Sequence, residues 1–110
     1  MEIAEVKKNG VVVLSVAGRV DASNAATLEQ KILAVIGAGE SRLVIDCAQL
    51  EYISSAGLRV LLIAAKRLSA SGKLGVAALN NPIRDVFDIA GFSSIFQIYR
   101  TLDEAVAALQ

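Results

Sequence analysis

Tyr52-Ile53-Ser54-Ser55-Ala56-Gly57-Leu58 is the stretch on which the reading of this chain turns. Before it, Val44 and Ile45 make an apolar, strand-like run, and Asp46 to Glu51 reads as a short polar loop. After it, Leu58, Leu61, Leu62, Ala65 and Leu68 recur at three- and four-residue spacing, with Arg59, Lys66 and Arg67 between them. That pattern predicts a helix from Ala56 to about Ser69, apolar on one face. A serine at such a start is a good N-cap, since its hydroxyl accepts from a free first-turn N–H. On this reading Ser55 holds that position, where the positive end of the helix dipole tolerates an added anion. Ala56 and Gly57 are small and leave the helix start uncovered. Two readings stand on these residues alone: a plain cap, and a serine open to modification.

Working outward, the chain alternates. Ile3 and Val6 suggest a short first strand, and Asn9-Gly10 is a hairpin turn pair. Val11 to Val16 is apolar almost throughout, as in a strand covered on both faces, and closes at Ala17-Gly18. Gly18-Arg19-Val20-Asp21 leads out of it. Asp21, Ser23 and Asn24 are candidate caps for a helix carrying Ala25, Leu28, Ile32, Val35 and Ile36 inward, which ends at Gly37-Ala38-Gly39. Leu43 to Ile45 is a central strand, and Leu74 to Leu79 another. Asn80-Asn81-Pro82 opens a third helix, with Ile83, Val86 and Phe87 inward, that ends at Gly91-Phe92. Ile95 to Tyr99 alternates like a last strand, and Thr101 caps a terminal helix, Leu102 to Leu109. The order β-β-α-β-α-β-α-β-α predicts one α/β domain over residues 1–110, with about four helices. Its sheet is mixed but mostly parallel, with about five strands.

Composition narrows the chemistry. The 110 residues suit a single core, and 55% of them are apolar. Eleven basic residues balance eleven acidic ones, so the basic excess that drives general nucleic-acid or anionic-membrane binding is absent. There is no histidine, hence no Ser-His or Cys-His nucleophile and no imidazole metal ligand. Gly37-Ala38-Gly39 lacks the lysine and the preceding strand of a phosphate loop, and no cluster has metal-ligand spacing. No enzyme activity and no cofactor are expected. Cys47 is the single cysteine, which precludes an internal disulfide and suits a cytoplasmic location; it reads as an apolar filler. The first residues lack the order of a signal peptide, and no apolar run approaches the ~18 residues of a membrane span. Asp21 and Asp46 stand at strand ends, where a cap and a loop hydrogen bond account for them.

Taken together, Tyr52 to Leu62, Gly18-Arg19-Val20-Asp21, Leu43-Val44-Ile45-Asp46 and Phe87-Asp88-Ile89-Ala90-Gly91-Phe92 resemble the STAS domain of bacterial anti-sigma factor antagonists, over nearly the whole chain. That family's pattern is Asp-Ser-(Ser/Thr/Ala)-Gly-Leu, in which the serine after the aspartate is phosphorylated. The resemblance implies Ser55 as the acceptor, with Ser54 as second choice, and Ser54 in the aspartate's position. It places the family's acceptor-side aspartate at Asp21. It implies partner switching: the unphosphorylated protein binds an anti-sigma factor serine kinase of the GHKL ATPase type through Asp21, Ser54, Ser55, Ala56, Gly57, Leu58 and Arg59, and so releases a sigma factor. Phosphorylation ends binding, and a PP2C-type phosphatase resets the protein. The oligomeric state is left open by the sequence, with a monomer as the default expectation for the free form. The alternative within the same family is an accessory domain that docks an ABC-transporter ATPase or a transporter without phosphorylation.

Overall fold

Asn9 and Gly10 adopt φ of 53° and 81°, the left-handed pair of a two-residue hairpin turn, and the sheet starts there in this computed structural model, which describes residues 1–110. The turn joins β1 (Glu2–Lys8) antiparallel to β2 (Val11–Val20), with Lys8 opposite Val11 and Glu2 opposite Ala17. Then follow α1 (Ala25–Gly37), β3 (Arg42–Asp46), β4 (Leu50–Ile53) and α2 (Ser55–Leu68). The chain ends with β5 (Lys73–Ala77), α3 (Asn81–Ile89), a 3-10 turn at Phe92–Ser94, β6 (Gln97–Tyr99) and α4 (Leu102–Leu109). The strands lie in the order β1-β2-β3-β5-β6, and β4 pairs with the end of β2. Only β1 is antiparallel to its neighbour, so the sheet is mixed and mostly parallel, as expected.

Helices cover the sheet unequally. α1, α2 and α3 share one face, above a core of 23 buried residues that includes Val12, Leu14, Leu43, Ile45, Leu61 and Phe87. α4 lies alone on the other face, above Val11, Val13, Val44 and Ala77. This two-sided cover is why Val11 to Leu14 lack polar alternation: each of the four is at most 1% exposed. No side-chain nitrogen or oxygen is buried without a hydrogen bond, so the interior carries no polar penalty. Cys47 lies in this interior, where burial first and the charge of Asp46 second push its thiol up to about 12. It is therefore a packed apolar group and not a thiolate nucleophile.

The structure corrects the expected elements in five places. Six strands form, because the presumed loop Asp46 to Glu51 contains the start of β4. Only Cys47 to Gln49 are loop; Leu50 and Ile53 are buried at either end of a strand four residues long. β2 does not close at Ala17-Gly18: Gly18 takes φ of 87°, the register shifts there, and the strand runs on to Val20 along β4. β5 stops at Ala77, since Ala78 turns to φ of 63°. β6 is shorter than expected, because Phe92 to Ser94 wind into the 3-10 turn and leave Ile95 half exposed. In α2, Val60 and Ala64 are buried with Leu58, Leu61 and Leu68, whereas Leu62 and Ala65 are half-buried.

Candidate functional site

The site is built where β2 and β4 end side by side. Val20 pairs with Ile53, so the next residues, Asp21 and Ser54, emerge together at the C-terminal edge of the parallel strands. The Ser54 N–H donates to the Val20 carbonyl at 2.9 Å, which fixes the exit of β4 against β2. One step earlier Arg19 pairs with Tyr52, and its guanidinium carbon lies 4.2 Å from the ring centroid. That is cation–π distance, and both side chains are solvent-accessible.

Ser54, and not Ser55, caps α2. Ser54 has extended backbone (φ −85°, ψ 173°), and its Oγ accepts from the Gly57 N–H at 3.3 Å. Its carbonyl accepts from the Leu58 N–H at 2.9 Å. Ser55 is the first helical residue; its side chain is exposed and its hydroxyl bonds to no protein group. The first N–H groups of a helix have no intrahelical acceptor. With those of Gly57 and Leu58 taken by Ser54, those of Ser55 and Ala56 stay open beside the Ser55 hydroxyl. The two adjacent serines thus divide the labour expected of one: Ser54 holds the helix start, and Ser55 is left free on it. The division also explains what stands in the family's aspartate position, since serine and aspartate are comparable N-caps. Serine keeps the cap and removes one negative charge.

Replacement should separate the two roles. Ser54→Ala is expected to cost about 1 kcal/mol, the usual worth of a cap. Ser55→Ala, at an exposed position without a partner, should stay within about 0.5 kcal/mol of the parent. Urea unfolding curves of both variants measure this; equal shifts would mean that the cap has been assigned to the wrong serine.

Gly57 is there for space. A Cβ on it would lie 2.7 Å from Cγ1 of Ile53 and 2.7 Å from Cγ1 of Val20, so the first turn of α2 rests directly on the ends of β4 and β2. Gly57 and Leu58 are buried, and Leu58 belongs to the main core. Of the residues expected to meet a partner, Ser55 and Arg59 are exposed, one turn apart on α2, while Ser54 and Ala56 are half-buried. Gly57 and Leu58 seat that turn rather than present a surface.

Asp21 shapes the neighbouring loop. Its Oδ1 accepts from the Ser23 hydroxyl at 2.5 Å and from the Ser23 N–H at 3.0 Å. These bonds, the hydroxyl's first, hold its carboxyl below the usual carboxylate range, with Arg19 adding a smaller charge effect. Because that value is lowered in the folded chain, the contribution to stability is present above the ordinary value of 3.8 and lost as pH falls through the lowered one. Asn24 takes the cap position of α1, yet its side chain works backwards: Oδ1 accepts from the Asp21 N–H and Nδ2 donates to the Arg19 carbonyl, both at 2.9 Å. The loop after β2 is therefore tied in place beside Ser54 without any bond to either serine of α2. Asn80 does the same from the other side. It caps α3 through Oδ1 and donates from Nδ2 to the Leu50 carbonyl at 3.1 Å, anchoring β4. Sequence reasoning missed Tyr52, Arg19 and Asn80 as parts of this edge, because β4 was hidden in the presumed loop. The only signal was Leu50 and Ile53 bracketing two polar-sided residues.

No group of three or more Cys, Asp or Glu residues converges on a metal position, and no helix is long and apolar enough to cross a membrane. The edge offers an exposed hydroxyl at the positive end of a fourteen-residue helix, with Arg59 exposed one turn further along the same helix.

Comparison with known proteins agrees with this geometry. The profile of the STAS domain matches residues 2–105. A Bordetella bronchiseptica protein, BtrV, named provisionally as an anti-sigma factor antagonist, is 40% identical over all of this chain and 96% of its own. The anti-sigma-F factor antagonist RsfB of Mycobacterium tuberculosis is 33% identical over 93% of this chain and 84% of its own. The crystal structure of an anti-sigma factor antagonist from Mycobacterium paratuberculosis superimposes with a TM-score of 0.92, at 33% identity, over 98% of this chain and 92% of its own. With its β1-to-α4 order, its paired β2 and β4 ends and its serine-capped α2, this chain belongs to the STAS domain family.

Proposed function

We propose that this protein is an anti-sigma factor antagonist whose association with an anti-sigma factor kinase is ended by phosphorylation of Ser55. The observation that carries the reading is the free, exposed Ser55 hydroxyl on a helix start already capped by Ser54. The names of the Bordetella and Mycobacterium relatives support the antagonist role.

The physics of such a switch is local. A phosphate brings about −1.5 to −2 charges and three strong acceptor oxygens. On Ser55 it would meet the open N–H groups of the first turn and the positive end of the helix dipole, so the fold tolerates it. A partner packed over Ser55, Ala56 and Arg59 would meet a bulky dianion where a small hydroxyl had been. A loss of about 3 kcal/mol weakens binding about a hundredfold. Partner choice then changes without any rearrangement of the sheet. A GHKL-type serine kinase supplies the phosphate from ATP in this scheme, and a PP2C-type phosphatase removes it.

Intact-mass measurement with site mapping, after incubation with an anti-sigma factor kinase and ATP, tests the proposal. The expected result is one phosphate, absent in Ser55→Ala, present in Ser54→Ala and accompanied by release of the kinase. A phosphate on Ser54 would move the acceptor by one residue. A stable complex that never becomes phosphorylated would overturn the switch and favour a docking domain.

A further inference from the structure

β1 is an edge strand with a free side. The hairpin register determines which of its backbone groups are free. In a two-residue hairpin the flanking pair, here Lys8 and Val11, is hydrogen-bonded, and bonded pairs then alternate along the ladder. Glu2, Ala4, Val6 and Lys8 therefore spend their N–H and C=O groups on β2. Those of Ile3, Glu5 and Lys7 point outward, away from the sheet.

The side chains along this edge are complementary to themselves. Glu5 and Lys7 stand on the α1 side, where Glu5 pairs with Lys31 at 2.6 Å and Lys7 with Glu40 at 3.0 Å. Val6 stands on the opposite side, next to Val13, and is 48% exposed although Val13 is fully buried. α4 covers Val13 and stops short of Val6.

We propose that two copies of this chain associate antiparallel through β1, about a two-fold axis at Val6. In that register Glu5 of one copy lies opposite Lys7 of the other, and the reverse. Both are residues with outward backbone groups, so each pair exchanges two hydrogen bonds and the axis is flanked by four. Val6 meets Val6 of the second copy in the non-bonded position, where side chains approach most closely. On the α1 side the two existing ion pairs join into a row of alternating sign, Lys31–Glu5 of one copy followed by Lys7–Glu40 of the other. The two-fold at Glu5, one residue away, sets Glu5 against Glu5, and like charges directly opposite disfavour it. The charges that guard an edge strand against indiscriminate pairing thus select one register and one partner, a second copy, and the self-complementary patch is what a closed two-fold contact requires. The contact is short, so association is weak and concentration-dependent. It uses the outer edge of β1, across β2 from β3, and does not rest on the proposed role of Ser55.

Sedimentation equilibrium of the full chain over a wide concentration range tests this. The mass is expected to rise from 11.5 kDa towards twice that value as concentration increases. Glu5→Lys should hold it at the monomer value by opposing Lys7 of the second copy. The exchanged double variant Glu5→Lys, Lys7→Glu should restore the rise, a recovery that a merely structural role for either residue would not produce. Lys7→Pro, which removes an outward N–H and leaves the β2 ladder intact, should abolish dimerisation without changing the circular dichroism spectrum. A mass that stays at the monomer value at every concentration, or a rise unaffected by Glu5→Lys and Lys7→Pro, would overturn the proposal.

Discussion

Phe87→Ala should destabilise the protein by about 3–5 kcal/mol, the range for removing a buried phenylalanine. Phe87 is 0% exposed and lies among the only two other phenylalanines of the chain. Its ring centroid is 6.2 Å from that of Phe92, edge to face, and 6.0 Å from that of Phe96; Phe92 and Phe96 are 5.5 Å apart. Such pairs contribute about 0.5–1.5 kcal/mol beyond the area they bury. The trio joins α3, the 3-10 turn and the segment before β6 to the main core. β6 adds little of its own, since it is three residues long and pairs with β5 alone. Total stability of a domain this size is about 5–15 kcal/mol, so the loss takes roughly a fifth or more of it. Urea unfolding, read by both circular dichroism and thiol exposure of Cys47, is the measurement. A shift under about 1 kcal/mol would mean that the aromatic cluster collapses around the gap and is not the clamp described.

Gly57→Val should have the next largest effect, about 3 kcal/mol at the upper end of the range for overpacking. Valine and glycine differ little in helix propensity, so the cost is nearly all steric. The new Cβ alone would stand 2.7 Å from carbons of Ile53 and of Val20, neither of which can yield: both are buried, and Val20 is a β-branched residue in a paired strand. Relief must come from lifting the first turn of α2, which strains the Gly57 N–H bond to Ser54 and displaces Ser55. The variant should therefore lose stability and partner binding together. Combining it with Ile53→Ala, which opens space under the turn, should cost less than the sum of the two single changes. Strict additivity in that cycle, or an unchanged unfolding midpoint for Gly57→Val, would refute the close seat of α2 on β4.

Most of this fold was legible because its elements announce themselves through local chemistry. Asn9-Gly10 marks the hairpin, Pro82 the start of α3, and Thr101 followed by Asp103 and Glu104 the start of α4. The unalternating run at Val11 already implied cover on both faces of the sheet, and α4 supplies the second cover. The resemblance of the serine stretch to the STAS domain reached the family, and the family matched.

What escaped depends on contacts between distant segments. β4 is four residues long, and its only ladder is to the far end of β2, which itself continues past a left-handed Gly18. Neither extension has a local pattern strong enough to be read alone; each exists because the other pairs with it. The assignment of the cap followed from the same contact. In sequence, a helical pattern beginning at Ala56 puts the cap on Ser55, the residue directly before it. In the fold, Val20 takes the Ser54 N–H, holds that residue extended, and so begins the helix directly after it, at Ser55. Local pattern alone specifies a serine-led helix in an α/β sheet. Which serine is bound and which is free was decided by the strand lying next to it, because a backbone hydrogen bond between segments more than thirty residues apart is invisible to any local pattern.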